Sequence, residues 1–210
     1  MAVQLQKIAP SAIEQESFRI ISEEFGTHSF DEPTFKVIQR VIHATGDFSF
    51  KDTLRFAPGA IEAGIKAIRD GKDILTDVTM VAAGIGKTML GTWGGQVICR
   101  VADPEIASRA KAENKTRSEV AIDMCLTGNI GIIAIGNAPT ALVQAIRSVE
   151  LADPGAAPLI VGVPVGFVNA AESKALLVEK NSRYITSLGR KGGSPVAAAI
   201  VNALLRLAAK

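Results

Sequence analysis

Within the 210 residues of this chain, one segment concentrates side chains able to move a proton: Arg40-Val41-Ile42-His43-Ala44-Thr45-Gly46-Asp47. The chain has two histidines, His28 and His43. His43 falls in the last turn of a helix that Gly46 stops. A helix C-terminus stabilises a cation and raises a histidine's pKa. Arg40, one turn earlier on the same face, pushes the other way, and Asp47 is close enough to pair with either. Such opposing influences place an imidazole near neutrality, which suits a general acid. A lone helical histidine is, by itself, more often structural, so the assignment needs support from elsewhere in the chain.

Other chemistries find little support. Gly86-Lys87-Thr88 resembles the end of a phosphate-binding loop, but the position where that motif needs its first glycine is Val81. Lys87 and Thr88 remain able to meet an anion. There is no Gly-x-Ser-x-Gly elbow and no His/Cys/Asp/Glu spacing of a metal site. No dinucleotide-binding glycine fingerprint follows a strand. The residues therefore point to chemistry without a metal or cofactor. A net charge of +2 and the lack of a long basic run argue against nucleic acid. The two cysteines, Cys99 and Cys125, lie in apolar surroundings without paired spacing and read as buried, reduced thiols of a cytoplasmic protein. Met1–Ser17 has no apolar core of a signal peptide. The apolar stretches near Ile130–Ile135 and Leu159–Val168 are too short to span a bilayer, which predicts a soluble protein.

The elements that must position His43 begin with helices. Pro10 and Ser11 open the first, with Ser11 as N-cap, Glu14 at the capping-box position and Gly26 as the stop. Asp31-Glu32-Pro33 opens the second, with Phe35, Ile38, Val41 and Ile42 as its buried stripe. A third runs from Pro58 to Asp70. The rhythm then changes to β-branched runs at Asp73–Ala83, Val97–Val101, Asn129–Ile135, Leu159–Pro164 and Tyr184–Leu188. Helical patterns lie between and after them, at Asp103–Glu113, Arg117–Leu126, Pro139–Leu151, Ala170–Lys180 and Ser194–Ala209. This alternation predicts one α/β domain spanning residues 1–210, a parallel sheet covered by helices, with an N-terminal helical segment. Ligands of such sheets bind beyond the carboxyl ends of the strands. Four small or polar turns belong there: Gly84–Thr88, Gly136–Thr140, Val163–Phe167 and Gly189–Pro195. Each leads into a helix start with free backbone N–H groups. They read either as ordinary strand-to-helix turns or as the cradle of a ligand with several carboxylates or phosphates.

Four segments together resemble the precorrin-8X methylmutase family. They are Ile13-Glu14-x-x-Ser17-Phe18-x-Ile20, the Arg40–Asp47 segment, Thr76-Asp77-Val78-x-Met80, and Gly189-Arg190-Lys191-Gly192-Gly193-Ser194-Pro195. The resemblance covers nearly the whole chain, in order. It implies a flavodoxin-like fold, a cytoplasmic homodimer and an isomerase of cobalamin and porphyrin biosynthesis that needs no cofactor. The implied reaction moves a methyl group from C11 to C12 of a tetrapyrrole, giving hydrogenobyrinate, or cobyrinate on the cobalt-bearing route. It also implies that His43 donates and recovers the proton at ring C, and that Ser17 and Arg40 contact the substrate. Thr88, Arg117, Arg190 and Lys191 are further candidates for its carboxylates. A non-catalytic tetrapyrrole carrier on the same fold is the rival reading.

Overall fold

The computed structural model describes residues 7–151 and 157–210; the first residues of the Met1–Ser17 stretch lie outside these. A single 3₁₀ turn at Pro10–Ala12 leads into α1 (Ile13–Phe25), followed by α2 (Glu32–Thr45), α3 (Phe50–Thr53), β1 (Leu54–Phe56), α4 (Ala60–Arg69) and β2 (Asp73–Thr76). Next come α5 (Thr79–Gly84), α6 (Lys87–Gly91), β3 (Val97–Ile98), α7 (Pro104–Ala112), α8 (Arg117–Cys125), β4 (Ile130–Ile135) and α9 (Pro139–Glu150). The chain ends with β5 (Leu159–Gly162), α10 (Ala170–Glu179), β6 (Tyr184–Ser187) and α11 (Ser194–Ala208).

The strands form a six-stranded sheet in the order β1-β6-β5-β4-β2-β3. All neighbours from β6 to β3 run parallel, while β1 pairs antiparallel with β6. Counting from β2, the parallel strands follow the flavodoxin-like order 2-1-3-4-5. In β4 successive side chains feed two cores. Ile132 and Ala134 face α2, α4 and α11, whereas Ile133 and Ile135 face α8, α9 and α10. Burial on both faces explains the continuous apolar run of Ile130–Ile135. The alanine-rich α11 is buried along most of its length and fills the space between the sheet and α2, where its small side chains allow close approach.

The sequence expectations need four corrections here. Asp73–Ala83 is not one strand: β2 ends at Thr76 and Thr79–Gly84 turns into helix. The segment Phe50–Phe56, to which the sequence reading assigned no element, supplies α3 and the antiparallel edge strand β1. Ser11 caps nothing, because the 3₁₀ turn places Ala12 at the N-cap, without a side-chain hydrogen bond. Cys99 is half-buried, while Cys125 is buried. The second helix forms as expected, with the Asp31 carboxylate accepting from the Thr34 N–H. Among the described residues no helix is long and apolar enough to cross a membrane.

Candidate active site

His43 sits in the last turn of α2 because Gly46 ends the helix there. Gly46 adopts φ 65° and donates its N–H to the Ile42 carbonyl at 2.7 Å, a conformation that suits glycine. The helix is amphipathic, and Val37, Ile38, Val41 and Ile42 are buried. That leaves the Lys36, Arg40 and His43 row facing outward at i, i+4 and i+7. α1 packs across this row. Its own Glu14, Ser17, Phe18 and Ile21 share one face.

Ser17 Oγ lies 2.8 Å from His43 Nδ1. A hydroxyl can donate to Nδ1 of a neutral imidazole and accept from Nδ1–H of an imidazolium. The contact therefore survives both protonation states and keeps Nε2 as the nitrogen that exchanges protons. No protein partner occupies Nε2 among the described residues. Phe18 meets the imidazole edge to face, with centroids 5.1 Å apart, and the Arg40 guanidinium lies over the same phenyl ring at 4.5 Å. The Arg40 side chain is 12% exposed and pairs with Glu14 Oε2 at 2.8 Å. Buried Gln39 donates to the Phe18 carbonyl and to Ser22 Oγ, pinning α1 onto α2. Burial, then the nearby Arg40 charge, holds the His43 pKa below its ordinary value, with Glu14 opposing. Arg40 thus acts in the direction the sequence suggested, whereas Asp47 is not among the influences on His43. An imidazolium short of hydration beside a cation is a better acid.

Asp47 does not pair with His43 or Arg40 as expected. Its Oδ2 accepts from Lys191 Nζ at 2.6 Å, and its Oδ1 accepts from the Ser49 N–H. Lys191, then Ser49, hold its carboxyl at about 2. This ion pair fastens the end of the His43 helix to the loop after β6. Beneath that loop Lys174 is fully buried and donates to the Lys191 carbonyl at 2.6 Å. Burial pushes its pKa down to about 8. The loop itself is pressed so closely on Val163 that a side chain at Gly192 would collide with the Val163 carbonyl.

The four turns are less open than expected. Asp77, fully buried after β2, accepts from the N–H groups of Gly136, Asn137 and Ala138 at 2.8–3.1 Å. It closes the gap between β2 and β4 where the strand order reverses, the place such folds usually offer a ligand. Its burial raises the carboxyl pKa, against those three donors. The Gly86 N–H goes to the Asn202 side chain. The Gly166 N–H goes to the Arg190 carbonyl, and that of Gly193 to the Val163 carbonyl.

Ser17, Arg40 and His43 therefore meet at one place, and Lys191 is tied to it through Asp47. Arg190 lies over the ring of Phe167 at 5.3 Å, in an exposed apolar loop with Val165 and Val168. Thr88 is exposed beside Met89, which lines a cavity with Arg40. Arg117 is exposed at the first turn of α8. No contact among the described residues links Thr88 or Arg117 to His43. Sequence reasoning placed Glu14 in a cap and missed its pairing with Arg40. The shared face of 14, 17, 18 and 21 was the available signal.

A flavodoxin-ordered α/β sheet thus carries, on an added helical layer, a serine-oriented histidine beside arginines, a class of site able to exchange a proton and to meet an anion. The comparisons make that class specific. The sequence profile of the precorrin-8X methylmutase family matches residues 12–207. The chain is 43% identical over 204 residues to the cobalt-precorrin-8 methylmutase of Priestia megaterium, covering 96% of this chain and 89% of that protein. It is 40% identical over 198 residues to the precorrin-8X methylmutase of Pseudomonas aeruginosa, covering 92% and 93%. The crystal structure of precorrin-8X methylmutase from Thermus thermophilus superposes with a TM-score of 0.86 at 42% identity, over 95% of this chain and 96% of that one. The chain belongs to the precorrin-8X methylmutase family, and is an isomerase that transfers a methyl group within its substrate.

Proposed function

We propose that this enzyme moves the methyl group of precorrin-8X from C11 to C12, giving hydrogenobyrinate, with His43 as the sole proton-transfer group. The observation that carries the reading is the meeting of Ser17, Arg40 and His43 around Phe18. Ring C accepts the proton from His43 Nε2 and becomes electron-poor. The C11–methyl bond breaks as the C12–methyl bond forms, and the neutral imidazole then recovers the proton. Atoms and charge balance without a second reagent, so the reading needs no cofactor. Ser17 holds the imidazole plane throughout, and Arg40 meets a substrate carboxylate. We take the chain to work in the cytoplasm as a homodimer. Arg190, Lys191, Thr88 and Arg117 belong to this reading as outer carboxylate contacts, with Lys191 the nearest to His43 by way of Asp47.

The cobalt-bearing substrate is the second reading. Relatives of both names match at 43% and 40% identity, and the proton chemistry at ring C is the same. Assay with both substrates separates them. Mixing His43→Ala with precorrin-8X and following the visible spectrum tests the mechanism: binding without conversion is expected, and conversion at the unmutated rate excludes His43 as the acid. Binding without conversion by the unmutated chain indicates the carrier.

A further inference from the structure

Between α2 and α11 lies a cavity of about 400 Å³ whose walls carry Lys36, Arg40, Arg206 and Lys210, with Phe18 and Leu207 on its apolar side. That is near the low end of the roughly 300–1,000 Å³ of pockets for drug-sized ligands, and a tetrapyrrole with all its side arms is larger than such ligands, so the cavity suits one side arm and the adjoining ring edge. Two carboxylates answer the four cations. Glu14 meets Arg40 and Arg206, and Glu32 reaches Lys210 at 3.4 Å. Arg40, Arg206 and Lys210 are thus each met by a carboxylate. Lys36 has no ion-pair partner among the described residues.

Glu14 is the informative member. A single oxygen, Oε2, serves Arg40 at 2.8 Å and Arg206 at 3.1 Å. A guanidinium offers a planar fork that suits both oxygens of a carboxylate, so two forks sharing one oxygen are under-used. The Arg40 fork is fixed in direction by the Phe18 ring beneath it. Glu14 itself is in the first turn of α1, a helix whose one buried residue is Ile21, so it can yield at small cost.

We propose that Arg206 and Arg40 form a two-arginine clamp for a carboxylate arm of the tetrapyrrole, with Lys36 as a flanking charge. Glu14 occupies the clamp until that arm displaces it. The inference rests on the substrate reading above and assigns the part of the carboxylate fringe gripped away from the histidine.

Titration of the full chain with cobyrinic acid and with its fully methylated ester, followed by the visible spectrum, tests it. Arg206→Ala is expected to bind the acid about 10- to 100-fold more weakly, the range for a lost hydrogen bond to a charged group, and to bind the ester as the unmutated chain does. Arg206→Lys keeps the charge without the fork and should recover only part of the loss. Glu14→Gln should bind the acid severalfold more tightly. Equal losses for acid and ester, an unchanged affinity in Arg206→Ala, or weaker binding by Glu14→Gln overturns the clamp. Succinate competing as well as the acid would make a free dicarboxylate the ligand and also overturn it. Turnover of precorrin-8X by the unmutated chain is read separately. An active enzyme whose Arg206→Ala variant binds normally rejects the clamp alone, whereas an inactive enzyme that shows the expected acid-over-ester losses rejects the methylmutase reading alone.

Discussion

Two regions of this molecule hold a carboxylate against positive partners, and they put it to opposite uses. At the sheet's reversal of strand order, Asp77 is fully buried and receives three backbone N–H groups from the start of α9. On the helical layer, Glu14 is half-buried and is shared between two arginines beside His43. The first carboxylate fills the position where this fold usually receives a ligand, and it cannot leave without orphaning buried donors. The second is the one the proposed clamp exchanges for a substrate carboxylate. Asp77 thus takes up the backbone donors of the fold's usual binding crevice, while His43 and its two neighbouring arginines stand on the layer formed by α1, α2 and α11.

The largest effects should separate the two regions cleanly. His43→Ala is expected to lower kcat by about 10²–10⁴-fold, the usual range for a positioned general acid, while leaving the thermal unfolding midpoint within a degree or two. Asp77→Ala should do the reverse. Each unmet buried donor costs about 1–3 kcal/mol, so a loss of roughly 3–5 kcal/mol in chemical unfolding is expected, with the remaining folded enzyme turning over normally. A stable but inactive Asp77→Ala protein would place the reaction at the strand reversal instead.

A smaller contrast concerns acid. Asp47 has a native carboxyl pKa lowered to about 2 by Lys191 and Ser49. Its contribution is present above the unfolded value near 4 and is lost as pH falls from there toward 2. The pair is exposed, so the loss is about 0.5 kcal/mol. Burial raises Asp77 instead. Its native form binds the proton more readily than the unfolded chain does, so through this group acidification favours the native state. Unfolding free energies of Asp47→Asn and the unmutated chain should therefore converge as pH falls toward 2. Divergence would show that the Lys191 contact does not form in solution.

Much of the helical layer was legible in the sequence. Asp31, Pro33 and Gly46 mark the ends of α2 through local chemistry that needs no tertiary partner, and the Arg40–Asp47 segment announced His43. The alternation of β-branched runs with helices gave the parallel sheet. The edge strand Leu54–Phe56 was not legible, because three residues carry no period and its partner is β6, at Ser187, Thr186 and Ile185. Asp77 looked like part of an apolar run, since nothing near it in sequence tells that three N–H groups some 60 positions away will claim it. The Glu14–Arg206 contact spans 192 positions and exists only once α11 has packed on α2. Local signals place His43; the contacts of Asp77 and of Glu14 with Arg206 are products of tertiary packing.

The finest test of the comparison reads His43 through Glu14. Catalysis by the imidazolium requires the proton to be present, so kcat/KM should fall as pH rises through the His43 pKa of the free enzyme. Burial and Arg40 place that pKa below the ordinary 6.5, and Glu14 is the one acidic neighbour that raises it. In the Glu14→Gln enzyme the falling limb of kcat/KM should accordingly move to lower pH. The limb of kcat itself should move far less, because in the complex a substrate carboxylate already stands where Glu14 stood. If both limbs shift equally, Glu14 stays beside the arginines throughout turnover, and the exchangeable carboxylate of this layer is as fixed as Asp77.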